Sequence, residues 1–175
     1  MTRLEGLVGL NLSRVVGSIR LKTILGRFSQ PQDIFSASLQ SISELPGIGA
    51  ETAQRILSVK KDDIEKELKS ARKLGLKVII PEDDDYPHNL RYIPDPPIVL
   101  YLKGELRRED NLSISIVGSR RASVYGMLHA EKFSAMLSEK GFTIISGMAR
   151  GDRYLCPPLC FKEQGQDHRG DGERL

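Results

Sequence analysis

The sequence predicts an α/β protein in which a helical N-terminal domain precedes the first part of a doubly wound parallel sheet. Three observations carry that reading. A glycine-hinged pair of helices lies within residues 1–74; two short apolar strands, Ile114–Val117 and Phe142–Ile145, each end in a glycine loop; and a segment of crossover-helix length separates those strands. A strand, a crossover helix and a second parallel strand form a right-handed unit whose two loops leave the same edge of the sheet.

The totals fit that frame. A chain of 175 residues with 39% apolar and 28% charged residues has room for one ordinary domain or two small ones. No apolar run is long enough to span a bilayer, and the N-terminus lacks the pattern of a signal peptide, so a cytoplasmic location is expected. A net charge of +3 does not by itself argue for nucleic acid, so any anionic partner must be held by local clusters. Both cysteines, Cys156 and Cys160, sit in a C-P-P-L-C spacing that matches neither a redox pair nor a zinc knuckle.

Helix signals cover Leu7–Leu12, Leu21–Phe28, Ile34–Ala37, Ala50–Val59 and Asp62–Leu74, the last with Ile64, Leu68 and Ala71 at helical spacing and Gly75 as its stop. The segment Leu45 to Ile56 resembles a helix-hairpin-helix element of the SAM-like kind. Gly47 and Gly49 permit a tight turn, Ile48 plugs a small core, and Ala53 and Ile56 face back to it. N–H groups freed at the start of the second helix can accept a DNA phosphate, which makes Gly47, Gly49 and Arg55 secondary contact candidates. The same element also serves simply to build compact helical domains. Arg55, Lys60 and Lys61 favour DNA, whereas Glu44 and Glu51 oppose it. A shift of 32 residues sets Gly17 against Gly49, and Val16, Leu21, Ile24 and Leu25 against Ile48, Ala53, Ile56 and Leu57, which suggests a degenerate duplication.

From Leu76 the grammar changes. Lys77–Ile80 reads as a strand ended by Pro81 and the acidic run Glu82–Asp85, which is expected to be a solvated loop rather than a metal site. Asp95-Pro96-Pro97 turns into the β-rich run Ile98–Leu102, closed by Gly104. The crossover helix is expected from Val124 to Lys140, with Ser123 as N-cap and Gly141 as terminator, and with Gly126, Ala130, Phe133 and Leu137 packed on the sheet. His129 is expected to be a surface or packing residue.

Four motifs then fall in register: Tyr86-Pro87-His88-Asn89-Leu90; Pro94 to Gly104; Val117-Gly118-Ser119-Arg120-Arg121-Ala122-Ser123-Val124-Tyr125-Gly126; and Ser146-Gly147-Met148-Ala149-Arg150-Gly151. Over residues 1–151 the chain resembles the DNA-processing protein A (DprA/Smf) family. The resemblance implies an extended Rossmann-like domain that binds single-stranded DNA rather than a dinucleotide, in natural transformation (competence) and DNA recombination. It implies loading of the RecA recombinase, a homodimer in the full-length family, and no catalytic residue, metal or cofactor. By motif position, Gly118, Ser119, Arg120, Gly147 and Arg150 would line the DNA-phosphate pocket, with Arg121 and Ser146 beside them. In physical terms the glycines let backbone N–H groups reach a phosphate oxygen, Ser119 adds a hydroxyl, and the arginines add charge. The rival reading is a nucleotide-binding enzyme of the lysine-decarboxylase-like phosphoribohydrolase type, but the later glycine-rich loop of those enzymes does not occur here.

The expected domains are therefore 1–74, helical; 75–151, a partial Rossmann-like DNA-binding domain; and 152–175, a tail. After Gly151 helical periodicity stops. Permitted codons for Asp152 to Leu175, read one base later, can spell IDTSAHRCALKSRGKTIAVMGSG, a helix and strand of the kind the family pattern leads one to expect. The tail is accordingly expected to be out of frame and disordered, Cys156, Cys160 and His168 to carry no function, and the truncated α/β part to be unstable alone. The nucleotide sequence of the gene decides it.

Overall fold

The computed structural model describes residues 1–118 and 123–146. Two compact units result, Met1–Leu102 and a second beginning at Lys103. The expected tail, residues 152–175, lies outside the described residues.

The first unit opens with α1, Arg3–Leu12, fixed by a reciprocal cap: Glu5 N donates to Thr2 Oγ1 at 3.2 Å and Thr2 N donates to Glu5 Oε2 at 2.7 Å. The Thr2 N–H bond holds the Glu5 carboxyl below its usual pKa. Helix α2, Ser18–Arg27, follows, then a 3-10 turn at Pro31–Ser36 where the sequence suggested a short α-helix. Next come α3, Leu39–Ser43, α4, Ala50–Ser58, and α5, Lys61–Lys73. Gly75, at φ +67°, ends α5 as expected. Strand β1, Leu76–Ile79, and β2, Leu100–Lys103, pair as a two-stranded sheet, with the short α6, His88–Arg91, between them.

Leu7, Val8, Leu10, Ile24, Ile34, Ile42 and Ile56 are wholly buried and form one core. Ile80, Ile98 and Val99 join it. The residues after Gly75 therefore complete the helical core, although the periodicity changes at that glycine. The acidic run is also more than solvated loop. Glu82 pairs with Arg3, Asp85 pairs with Lys77, and Asp83 Oδ2 accepts from Ile80 N at 2.9 Å. Among the described residues no cluster is suited to hold a metal ion.

Close packing of α1 on the Pro31–Ser36 turn needs a glycine. A Cβ on Gly6 would stand 2.6 Å from the backbone nitrogen of Gln32 and 2.9 Å from its Cα. Alanine gains about 1 kcal/mol of helix propensity over glycine. Overpacking against backbone costs about 1–3 kcal/mol and wins. Gly6→Ala is thus expected to lower the urea midpoint, whereas Gly26→Ala, with nothing within 4 Å of the added carbon, is expected to raise it.

In the second unit β3, Ser113–Ile116, and β4, Thr143–Ser146, are parallel, with Ser113 opposite Thr143 and Ile116 opposite Ser146. The crossover helix α7, Val124–Glu139, starts at Ser123, whose Oγ accepts from Gly126 N at 3.1 Å, and Gly141 follows it at φ +85°. The βαβ unit is the one its sequence predicts. One packing detail differs: Phe133 is 53% exposed, and buried Ser134 takes the inward position beside it. Ser134 satisfies its hydroxyl within the helix by donating to Ala130 O at 2.7 Å. Tyr125, His129 and Phe133 instead form a ring stack along α7, with centroids 4.0 and 6.4 Å apart, so His129 is a packing residue.

Candidate nucleic-acid interface

The sequence directs attention to two places: the edge where β3 and β4 end, and the helix-hairpin-helix turns. At the first, the parallel register brings Ile116 beside Ser146, so the chain leaves both strands at their carboxyl ends along one edge. Gly118 is exposed, two residues beyond β3. Ser146 closes β4, and its Oγ is buried with no hydrogen-bond partner among the described residues. An unpaired buried hydroxyl is costly unless a further group meets it. Ser119, Arg120, Arg121, Gly147 and Arg150 lie outside the described residues.

At the second place, the turn between α3 and α4 runs through Gly47, which takes φ +74°, a value that glycine adopts without steric cost. Gly49 ends the same turn. Its backbone is extended, φ −86° and ψ 176°, and it serves as the N-cap of α4. Ile48 is 2% exposed and plugs the core, as expected. Gly47, Gly49 and Ala50 are exposed, no side chain caps α4, and Arg55 is exposed in its last turn. The open amino end of α4 carries unsatisfied N–H groups and the positive end of the helix dipole, while Glu51 in its first turn opposes an incoming anion.

The duplication suggested by the 32-residue shift is visible in the backbone. Gly17 caps α2 with φ −103° and ψ −169°, close to the Gly49 values, and Ile24 and Ile56 are both wholly buried. Arg20, on α2, ties the two turns together. Its Nε donates to Gly47 O at 3.2 Å and its NH1 donates to Val15 O, and Val15 is the residue that the same shift sets against Gly47. The first turn differs: its left-handed residue is Arg14, at φ 58°, which is not a glycine and stands one position earlier than the shift sets Gly47. Sequence reasoning missed Arg20 because a lone arginine on an exposed helix face carries no local signal. It also missed that Asp95, noted only as part of a proline turn, accepts hydrogen bonds from Ser18.

Comparison with known proteins follows the same division. Residues 77–166 match the family described as DNA recombination-mediator protein A, and residues 15–62 match a SAM-like helix-hairpin-helix tandem. The chain is similar to Protein Smf of Synechocystis sp., 30% identical over 156 residues, which cover 86% of this chain and 39% of that protein. It is similar to Protein Smf of Escherichia coli, 34% identical over 105 residues, 60% of this chain and 28% of that protein. It is also similar to the DNA processing protein DprA of Bacillus subtilis, 33% identical over 100 residues, 57% of this chain and 34% of that protein. The chain thus spans well under half the length of the curated relatives it matches.

Proposed function

The chain belongs to the DNA recombination-mediator protein A family, and on that premise we propose that it binds single-stranded DNA through the sugar-phosphate backbone. The observation that supports the reading is the parallel register of β3 and β4, which sets their carboxyl ends, Ile116 and Ser146, side by side. Gly118, Ser119, Arg120, Arg121, Ser146, Gly147 and Arg150 form the phosphate-binding set, and the second hairpin, through Gly47, Gly49 and Arg55, offers a further contact. The work is DNA uptake and recombination rather than catalysis. The partners are single-stranded DNA, the RecA recombinase and, in the full-length family, a second copy of the chain.

Such a protein needs no cofactor and acts in the cytoplasm. Among the described residues no helix is long and apolar enough to cross a membrane. Titrating the chain with oligo-dT and with AMP at two salt concentrations tests the reading. Binding to oligo-dT that weakens steeply with salt is the expected result, because each neutralised phosphate releases counterions. Binding of AMP alone overturns it in favour of a nucleotide-binding enzyme.

A further inference from the structure

The two hairpins share a backbone but not a terminus. Helices α2 and α4 each follow an extended glycine cap, and each presents first-turn N–H groups at the positive end of its dipole. At α4 that end is open. At α2 it is filled: Ser18 N and Ser18 Oγ both donate to the same Asp95 oxygen, Oδ1, at 3.1 and 2.6 Å. Ser18 is 5% exposed, whereas its counterpart Ala50 is exposed. A Cβ on Gly17 would lie 3.4 Å from Asp95 Oδ1, so the carboxylate stands at van der Waals distance from the turn.

Asp95 comes from 77 residues further along the chain, between Pro94 and Pro96. Prolines on both sides restrict that turn, and the buried Ile98 and Val99 anchor it to the helical core. The carboxylate is therefore delivered by the fold. One backbone N–H and one hydroxyl converge on a single anionic oxygen, as they would on a phosphate oxygen.

We propose that Asp95 is a built-in anion that closes the first hairpin to nucleic-acid phosphate, leaving the second hairpin as the open member of the pair. The proposal rests on reading the hairpins as phosphate-binding elements. A free phosphate must displace a carboxylate held by the same chain, at the high effective concentration that tethering gives. A phosphate at α2 would also face the negative charge of Asp95 itself, so exclusion is electrostatic as well as steric. The tandem is consequently asymmetric in function although its two glycine caps share one backbone conformation.

The test follows the Ser18 and Ala50 amide signals of the full chain while inorganic phosphate, and separately oligo-dT, is added. The Ser18 amide of the unaltered chain is expected to stay in place with phosphate. In Asp95→Ala it is expected to move with an apparent affinity at least about tenfold higher, the factor that losing a charge-assisted bond implies. The proposal is overturned if the Ser18 amide of the unaltered chain responds as strongly as that of the variant, or if both stay unresponsive. Should Asp95→Ala not fold, Asp95→Asn keeps an Oδ1 acceptor without the charge, and the same two outcomes in that variant support or overturn the proposal. The oligo-dT arm separates the two readings: if it moves no signal while phosphate discriminates the variant, closure by Asp95 is upheld and DNA binding fails.

Discussion

Replacing Arg120 and Arg150 together with alanine is expected to weaken oligo-dT binding by about 100-fold and to lower the salt slope by about two. A hydrogen bond to a charged group is worth about 1.5–3 kcal/mol, and roughly 1.4 kcal/mol is a factor of ten, so two lost contacts give the two decades. The two residues follow strands whose ends lie side by side, Ile116 opposite Ser146, and the proposed function assigns both to one phosphate backbone. Each single variant is expected to lose about tenfold and one unit of slope. Loss of affinity with an unchanged salt slope would show instead that the arginines support the loops without touching phosphate. Fluorescence anisotropy of labelled oligo-dT at three salt concentrations measures both quantities.

The second large effect is on stability. Ile56→Ala is expected to destabilise the first unit by about 2–5 kcal/mol, the usual range for truncating a buried aliphatic side chain. Ile56 is wholly buried in the core that α1, α2, α4 and α5 share, so its truncation removes packing on every side. For a unit of this size each kcal/mol moves the melting temperature by about 4–8 °C, and a loss of roughly 10 °C or more is expected by circular dichroism. Ile19→Ala, at a side chain 67% exposed on α2, is expected to change stability by no more than about 0.5 kcal/mol. Equal effects at the two positions would mean that the hairpin core is not packed as described.

The βαβ unit is legible in the sequence because its signals are local: two apolar strands, a helix of the right length, Ser123 to start it and Gly141 to stop it. Gly47 announces its turn for the same reason, since its left-handed backbone favours the residue without a Cβ. The duplicated hairpin is visible as a 32-residue shift because each copy repeats its own glycine and apolar spacing. Phe133 defeats the same reasoning, because an apolar residue at helical spacing looks inward whether or not the sheet has room for it. The structure seats the small Ser134 there, and Phe133 joins the Tyr125 and His129 rings outside.

By itself the sequence determined the hairpin helices, α5 and the βαβ order, since periodicity, caps and glycine punctuation act within a few residues of themselves, but it gave neither the 3-10 form of Pro31–Ser36 nor α6. Tertiary structure alone decided that Ile80, Ile98 and Val99 complete the helical core, that Arg20 bridges the two turns, and that Asp95 fills the end of α2. Those contacts join residues as many as 77 positions apart. No local propensity encodes such a meeting, because its energy exists only once the chain has closed the loop between its partners.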